Sequence, residues 1–473
     1  MVPSEPRRTL SLELPPGLAH LAAGLLEAGG RPYLVGGAVR DALLGSPVKD
    51  FDLEVFELTA EQLKSVLARF GRVSEVGEAF AVFKVSGLSG LAGAVDVSLP
   101  RRDSRVGPGH RGISVAGDPH LSLEAASLRR DFTINAILVD PFTLEAIDPH
   151  RGMDDLEARL LRVVDPRSFG EDPLRALRAV QLAARFELTV DPATARLCAS
   201  MTLTELAAER IFGEIEKLLL KALRPSIGLT LLRDWGMLEA VAAELLDLAA
   251  TPQDPGWHPE GDVWTHTLLA IDQAAALKGD LDRPRALALM LATLCHDLGK
   301  PATTATAEGR IRSLGHEGAG VGPTESLLAR WKVRSLLGYD VRKQVLGLVA
   351  HHLKPGQLYE QRDRVSDGAI RRLAQKCEPD LLYRVARADC LGRAGDFSPV
   401  AMEWFRERIQ TLEVAERAPR PLLLGRHVLA LGVLPGPEVG RVLRAVYERQ
   451  LDGSVTTLEQ AEREARRILG LWS

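Results

Sequence analysis

The chain has 473 residues, of which 46% are hydrophobic and 26% charged, as in ordinary globular proteins. At roughly 150 residues per domain, this length predicts about three domains. No apolar run approaches the ~20 residues that cross a bilayer, and the N-terminus lacks the apolar core of a secretory signal, so we expect a cytoplasmic protein. The formal net charge of −4 argues against a general nucleic-acid coat protein, so a polyanionic partner must meet local basic patches.

The first third of the chain alternates short strand-like segments with turns. Periodicity and β-branched content predict strands over 32–35, 51–56, 81–86 and 94–98, and a helix over 38–44. From about residue 156 onward, apolar residues recur every three or four positions, which predicts helices. The Pro/Gly/Asp-rich stretch 251–262 indicates a domain boundary. The fold class is therefore α+β, with a small mixed β-sheet followed by helices.

A glycine pair separates the first predicted strand from the helix. Gly36 and Gly37 would leave backbone N–H groups free at the start of the helix, and Arg40 follows one turn later. A triphosphate suits such a place, although a strand–Gly-Gly–helix turn often has no ligand.

An Asp-x-Asp motif follows. Asp50 and Asp52, on a strand, would point to one face and could hold a pair of Mg²⁺ ions. Asp96, on a later strand, could add a third carboxylate. Two metals activate an attacking hydroxyl and neutralise a leaving pyrophosphate. These three residues are the predicted catalytic set, although an Asp-x-Asp motif alone is common in polar loops.

Six ordered motifs together resemble the class II tRNA nucleotidyltransferase and bacterial poly(A) polymerase family. They are GGAVRD, KDFDL, LRRDFTINA (128–136), IDPHRG (147–152), GEDPLRALR (170–178) and ERIFGE (209–214). The resemblance implies that Asp50 and Asp52 bind Mg²⁺. It also implies that Gly37, Arg40 and Arg130 contact the nucleotide and that Asp131 and Asn135 contact the sugar and organise the site. The other predicted nucleotide-binding residues are Gly36, from the glycine turn, and Asp172, Arg175 and Arg178, from the GEDPLRALR motif.

The GEDPLRALR motif has a physical rationale for choosing a base without a template. Asp172 and Arg175 are three residues apart, which places them on one face of a predicted helix. A carboxylate accepts from the amino group of C or A, while a guanidinium donates to the adjacent ring acceptor. Gln181 stands where many relatives have a further arginine, so this chain departs from the family pattern at that contact.

The second half of the chain carries an ordered set of histidines and aspartates. The residues are His266, His296, Asp297, His316, the pair His351-His352 and Asp389. Mixed imidazole and carboxylate ligands suit a divalent transition metal such as Ni²⁺, Mn²⁺ or Co²⁺. We assign the metal site to His266, His296, Asp297, His316, His351 and Asp389. This pattern resembles the HD phosphohydrolase superfamily, which implies hydrolysis of phosphomonoesters or cyclic phosphodiesters.

Together the two resemblances imply a nucleotidyltransferase head (1–155), a base-selecting helical neck (156–250), an HD-type helical body (251–395) and a helical tail that contacts tRNA (396–473). The expected activity is addition of CCA to the tRNA acceptor end from CTP and ATP. We expect neither DNA nor a membrane as partner.

Two alternatives remain open. One is a poly(A) polymerase or an enzyme that adds only CC or only A. The other is an HD phosphohydrolase whose N-terminal region merely binds RNA.

The Gly/Pro/Arg-rich stretch 100–120 predicts a mobile loop. In the nucleotidyltransferase family that the chain resembles, a loop at this place helps to switch the site from CTP to ATP.

Overall fold

A computed structural model of the chain describes residues 8–48, 50–75, 82–105 and 113–471. The fold divides into two compact units. The first is Met1–Ala207 with Asp234–Met237, and the second is Ala208–Arg233 with Leu238–Ser473. The boundary therefore falls inside the segment predicted as the neck (156–250), and the finer division into four domains stays a prediction.

The strands are short and most belong to the first unit. They are β1 Arg31–Val35, β2 Asp52–Phe56, β3 Arg72–Glu75, β4 Val82–Ser86, β5 Val95–Ser98, β6 Arg101–Arg105, β7 Ile113–Gly117, β8 Leu138–Val139, β9 Ala146–Ile147, β10 Leu160–Leu161, β11 Thr189–Val190, β12 Thr304–Ala307 and β13 Arg310–Ser313. The four predicted strands correspond to β1, β2, β4 and β5, with position 81 outside the described residues.

Seven of these strands form one mixed sheet in the order β3-β4-β5-β2-β1-β8-β9. Only the β2–β5 pair is parallel, and the other neighbours are antiparallel. Strand β2 is buried along almost its whole length. Strands β1 and β5 pair with its two edges, and both of its faces are covered. The predicted small mixed sheet is thus confirmed, and its centre is the parallel pair.

Strands β6 and β7 lie in the stretch predicted to be a mobile loop. They pair as a two-stranded antiparallel ribbon, with Arg101 opposite Gly117 and Arg105 opposite Ile113. Residues 106–112, between them, lie outside the described residues. Residues 101–105 and 113–117 of the predicted loop are therefore paired strands, because backbone hydrogen bonds can form without the apolar core that this composition cannot supply.

The helices of the first unit cover and follow the sheet. They are α1 Pro16–Glu27, α2 Gly37–Leu43, α3 Ala60–Leu67, α4 Leu123–Ser127, α5 Gly152–Glu157, α6 Pro166–Phe169, α7 Leu174–Phe186 and α8 Pro192–Ala199. Helix α7 buries the apolar face that the sequence predicted, including Leu177 and Val180.

The rest of the chain is almost entirely helical. The helices are α9 Ala208–Lys221, α10 Pro225–Asp234, α11 Leu238–Ala242, α12 Val263–Leu277, α13 Arg283–Cys295, α14 Lys300–Thr303, α15 His316–Ala319, α16 Val321–Arg330, α17 Val341–His351, α18 Lys354–Glu360, α19 Asp367–Leu373, α20 Pro379–Leu391, α21 Val400–Thr411, α22 Gly425–Ala430, α23 Pro437–Leu451 and α24 Leu458–Leu469. No helix among the described residues is long and apolar enough to span a membrane.

Helix α13 is the centre of the second unit. Every residue from Ala286 to Cys295 is buried, because α12, α17 and α20 pack around it. Its C-terminal end carries His296 and Asp297 into the interior. Helices α22, α23 and α24 pack around a separate small core that includes Val428, Val446 and Ala465.

Candidate functional sites

Two carboxylates lie side by side at the centre of the sheet. Asp52 is the first residue of β2, and the parallel register places it opposite Asp96 on β5. Asp50 precedes the strand and is exposed, so the prediction that both aspartates of the motif lie on a strand is corrected: only Asp52 does. Burial, and next the charge of Asp96, raise the pKa of Asp52 to about 6, and Asp50 adds to this repulsion.

This carboxylate set fits a divalent magnesium site. Mg²⁺ binds oxygen ligands, and a cation would relieve the repulsion between Asp52 and Asp96. Part of that repulsion is already met by Lys84 on β4, whose Nζ lies 2.9 Å from Asp96 Oδ1.

The glycine pair allows the chain to approach the carboxylates. Gly36 has φ +72°, a conformation that L side chains rarely adopt. A Cβ there would lie 3.4 Å from Asp52 Oδ2. Helix α2 begins at Gly37, one residue before the predicted start, and a Cβ at Gly37 would lie 3.4 Å from Arg40 Nη2.

A cleft of about 260 Å³ opens beside these carboxylates. We call it the sheet cleft; it is lined by Val35, Asp52, Val82, Asp96, Ser98, Leu99, Arg101, Arg129 and Arg130. Two of its arginines are held by one carboxylate, since Arg129 donates to Glu54 Oε1 at 2.5 Å and Arg130 donates to Glu54 Oε2 at 3.0 Å. Glu54 is fully buried; burial alone would raise its pKa, but the two arginines hold it below its usual value.

The other residues of the LRRDFTINA motif form a buried network. Asp131 Oδ1 accepts from Asn135 Nδ2 at 3.0 Å, and Arg178 of α7 lies 2.9 Å from Asp131 Oδ2. Asn135 in turn accepts from Arg40 at 2.7 Å. Asp41 pairs with both Arg40 and Arg185. The predicted residues Arg40, Asp131, Asn135 and Arg178 are therefore brought together through side-chain contacts that join α2, the motif and α7.

The two residues predicted to read the base lie around the start of α7. Asp172 is not on the helix: it precedes α7 and accepts from the Leu174 N–H at 3.1 Å. Arg175 donates to the carbonyls of Ser168 and Arg129 at 2.9 and 3.0 Å. Gln181 is buried, and no hydrogen-bond partner for its Oε1 exists among the described residues.

In the second unit, histidines and aspartates from five segments converge. We call this group the histidine cluster; it comprises His266, His296, Asp297, His316, His352 and Asp389. Three histidines are oriented in the same way: the Nδ1 atoms of His296, His316 and His352 lie 2.7–2.8 Å from the carbonyls of Thr293, Ser313 and Val349. Each ring therefore donates from Nδ1, so that the Nε2 atom of each neutral ring presents its lone pair to the cluster.

Those lone pairs face one another at short range. The Nε2 atoms of His316 and His352 are 3.2 Å apart. Two lone pairs at this distance repel unless a cation or proton lies between them. Burial, and then the neighbouring histidines, lower the pKa of His352 to about 3, so this ring stays neutral. The donor set thus fits a divalent transition metal.

The two aspartates complete the set. Asp297 lies 3.2 Å from His296 Nε2, 3.3 Å from His316 Nε2 and 2.7 Å from Lys300 Nζ. Burial alone would raise its pKa, but His296 and Lys300 hold it well below its usual range. Gly299 permits this convergence, since a Cβ there would lie 2.0 Å from the His316 carbonyl.

One predicted ligand is displaced by one residue. His351 belongs to none of the groups of side chains that could share a metal, whereas the neighbouring His352 does. Consecutive residues near a helix end point about 100° apart, so only one of the pair can face the cluster. The pair itself was visible in the sequence, but not which member points inward.

Comparison with known proteins places both regions in one family. Residues 32–162 match the Poly A polymerase head domain, and residues 263–394 match the HD domain. The Multifunctional CCA protein of Xanthomonas campestris pv. campestris (strain B100) is 36% identical over 425 residues, which cover 87% of this chain and 95% of that protein. That of Xanthomonas oryzae pv. oryzae (strain MAFF 311018) is 37% identical over 421 residues, with the same coverage. The chain belongs to the multifunctional CCA protein family.

Solved structures share the fold. The CCA-adding enzyme of Bacillus stearothermophilus, in complex with CTP, matches with a TM-score of 0.62 at 23% identity, over 97% of this chain and 99% of that one. The Thermotoga maritima CCA-adding enzyme complexed with tRNA_CCA matches with a TM-score of 0.56 at 18% identity, over 98% and 99%.

In this member of the multifunctional CCA protein family, several residues at the two sites were not predicted from the sequence. In the first unit they are Glu54, Lys84 and Arg129; in the second they are His258, Glu260, Lys300 and Arg393. Glu260 accepts from His266 at 2.9 Å and from His258 at 2.8 Å. The sequence held a signal for Arg129, which adjoins Arg130 in its motif, and for Lys300, which follows Asp297 by three positions.

Proposed function

We propose that this chain adds C, C and A to the 3′ end of tRNA from CTP and ATP, without a nucleic-acid template. The observation that carries the proposal is the sheet cleft, where Asp52 and Asp96 lie side by side and three arginines line the same space. Membership of the multifunctional CCA protein family supports it, as do relatives whose names describe CCA addition. The substrates are then CTP, ATP and the tRNA acceptor end.

The acidic residues of the cleft would bind the metal, and the basic residues would bind the triphosphate. Asp50, Asp52 and Asp96 would hold Mg²⁺, which when bound activates the attacking 3′-hydroxyl and neutralises the leaving pyrophosphate. Arg129 and Arg130, oriented by Glu54, present guanidinium N–H groups to the triphosphate. Arg40 and Asn135 fix the position of α2, whose first residue follows the left-handed Gly36.

Base choice is assigned to Asp172 and Arg175. Arg175 keeps hydrogen-bonding capacity beyond its contacts with the carbonyls of Ser168 and Arg129, because a guanidinium has five N–H donors. The Asp172 carboxylate would accept from the amino group of C or A. A wrong base would leave these groups unpaired, which costs about 1–3 kcal/mol per group where the site is dry. We further propose that the β6–β7 ribbon helps to switch the site from CTP to ATP.

One gel tests the proposal. Two labelled tRNAs, one that ends at the discriminator base and one that ends in CC, are each incubated with CTP, with ATP, or with both. CCA addition predicts two added residues with CTP alone and three with both nucleotides. A long A ladder would indicate a poly(A) polymerase, while a stop after CC, or growth only from a CC end, would indicate a partial enzyme. No extension at all would overturn the proposal.

A second function is favoured by the histidine cluster. We propose that His266, His296, Asp297, His316, His352 and Asp389 hold a divalent transition metal such as Ni²⁺, Mn²⁺ or Co²⁺ and hydrolyse phosphomonoesters or cyclic phosphodiesters. When bound, the metal would supply Lewis-acid polarisation of a phosphoryl oxygen and a nucleophilic water. The measurement is release of product from a 2′,3′-cyclic nucleotide and from p-nitrophenyl phosphate. Inactivity with every one of these metals would leave the cluster a structural role.

The division into four domains and the location of the protein are two further proposals. The division into head, neck, body and tail agrees with the order of the elements but is finer than the two compact units. A cytoplasmic location is supported by four buried cysteines that are all free thiols.

A further inference from the structure

A pocket of about 190 Å³ opens onto the histidine cluster; we call it the histidine pocket. Asp297, His316, His352 and Asp389 form part of its wall. Its volume lies below the ~300–1,000 Å³ that pockets enclosing a small molecule usually have. A ligand larger than a phosphoryl group with a few attached atoms must therefore extend out of the mouth.

Two cations line the pocket beside the carboxylates. Lys300 Nζ lies between Asp297 Oδ2, at 2.7 Å, and Gln253 Oε1, at 2.6 Å. Arg393 Nη2 lies 3.6 Å from Asp389 Oδ1. These cations are directed towards anions at the cluster, so the inner part of the pocket suits a phosphoryl group.

The pocket also has an aromatic wall of a different character. Trp257 lines it and is 57% exposed, which leaves a large apolar ring in contact with solvent. The turn that carries the ring is well fixed: the Asp254 carbonyl accepts from the N–H groups of Trp257 at 3.0 Å and His258 at 2.8 Å, and Asp254 Oδ1 accepts from Gly256. His258 then bonds to Glu260, which anchors the turn to His266 of the cluster.

We propose that Trp257 is a specificity-determining residue of the histidine pocket, on which a nucleobase stacks while the phosphate of the same ligand lies between Lys300, Arg393 and the cluster. Base–aromatic stacking accepts any base, because every base has a π face. The small pocket takes the phosphate and part of the sugar, and the exposed indole takes the base outside. This inference rests on the phosphoester role proposed above for the cluster.

The test is calorimetric binding to the full-length protein treated with a chelator, so that the phosphomonoester ligands are bound near Lys300 and Arg393 without being hydrolysed. Adenosine 2′-monophosphate, ribose 5-phosphate and inorganic phosphate are titrated into wild type, Trp257→Ala and Trp257→Phe. Because Trp257 lies in the second unit, nucleotide bound by the first unit is the same in all three proteins and cancels. A short RNA with a 3′-terminal phosphate, titrated in parallel, distinguishes an RNA end from a free nucleotide as the ligand. An unchanged circular-dichroism spectrum and an unchanged thermal unfolding transition show that each variant is folded.

We expect Trp257→Ala to weaken nucleotide binding roughly 5- to 100-fold and to leave phosphate and ribose 5-phosphate unchanged, while Trp257→Phe keeps most of the affinity. Equal affinity of Trp257→Ala and wild type for the nucleotide would overturn the inference, as would an equal loss for all ligands. If wild type binds no phosphate at all in this pocket, the phosphoester role itself fails and the stacking role fails with it.

Discussion

The sheet cleft and the histidine cluster both bring aspartates together, but their electrostatics are opposite. In the cleft, burial and neighbouring carboxylates raise the pKa of Asp52 to about 6. In the cluster, histidines and cations hold the pKa values of Asp297 and Asp389 well below their usual range, against the effect of burial. At Asp52, burial and the repulsion from Asp96 therefore outweigh the attraction of Arg130 and Lys84, whereas the carboxylates of the cluster are compensated by their neighbours.

This difference indicates how each region uses a cation. A cleft whose carboxylates repel one another gains most when Mg²⁺ arrives with a nucleotide, and it can release both after each addition. A cluster whose rings are already oriented by three backbone carbonyls has little to rearrange. We expect the cluster to retain its metal through purification and the cleft to lose it.

The largest expected effect comes from the cleft. Asp52→Asn, and likewise Asp50→Asn, should lower nucleotide addition at least ~10³-fold, because each removes a charge that neutralises the metal. Hydrolysis at the histidine cluster should be unchanged. The measurement is single-turnover extension of labelled tRNA with CTP.

A matched control is Asp154→Asn, which removes an exposed carboxylate from α5 of the same unit. It should extend tRNA at the wild-type rate. Near-normal extension by folded Asp52→Asn would show that the cleft is not the transfer site.

The second prediction uses the adjacent histidines. His352→Ala should lower transition-metal affinity at least ~100-fold, because it removes one Nε2 ligand, whereas His351→Ala should leave the affinity within about twofold. Metal content after dialysis, measured by mass spectrometry, decides between them. Equal losses in the two variants, or a loss only in His351→Ala, would contradict the geometry of the cluster. Nucleotide addition serves as the control and should be unaffected in both.

The residues that carry the chemistry of both regions could be predicted from the sequence, whereas the residues that orient them could not. Patterned segments identified Asp52, Asp96, His296 and Asp297, because short motifs report which groups are needed. They did not report Glu54, whose partners are 75 and 76 positions away in the chain. Long-range partners depend on register and packing, and a one-residue uncertainty at a helix end was enough to exchange His351 for His352.

The third prediction concerns selectivity in the first unit. Asp172→Ala should raise the incorporation of UTP relative to CTP by about 10- to 100-fold, the value of one lost bidentate contact. Arg175→Ala should do the same and should also loosen α7, because Arg175 donates to the carbonyls of Ser168 and Arg129. Competition between CTP and UTP on one tRNA measures the ratio. Full selectivity in both variants would exclude the pair from base reading.

The last and smallest expected effect is on the free energy of unfolding, which should change in opposite directions in the two regions. It can be measured without any assay of catalysis. The pKa of Asp52 is raised in the folded chain, so its contribution to stability is complete below pH ~4 and is lost as the pH rises through about 6. At pH 8 the ionised side chain is a net cost, and Asp52→Asn should stabilise the metal-free first unit on the order of 1 kcal/mol, or a few degrees in Tm. Asp297 has a lowered pKa, so its contribution is present at neutral pH and is lost in acid. Asp297→Asn should therefore destabilise the second unit, because Lys300 loses its partner. Calorimetry after treatment with a chelator, at pH 8 and at pH 4.5, measures both transitions. The stabilisation by Asp52→Asn should shrink at pH 4.5, and shifts of the same sign in the two variants would show that the electrostatic contrast between the regions is wrong.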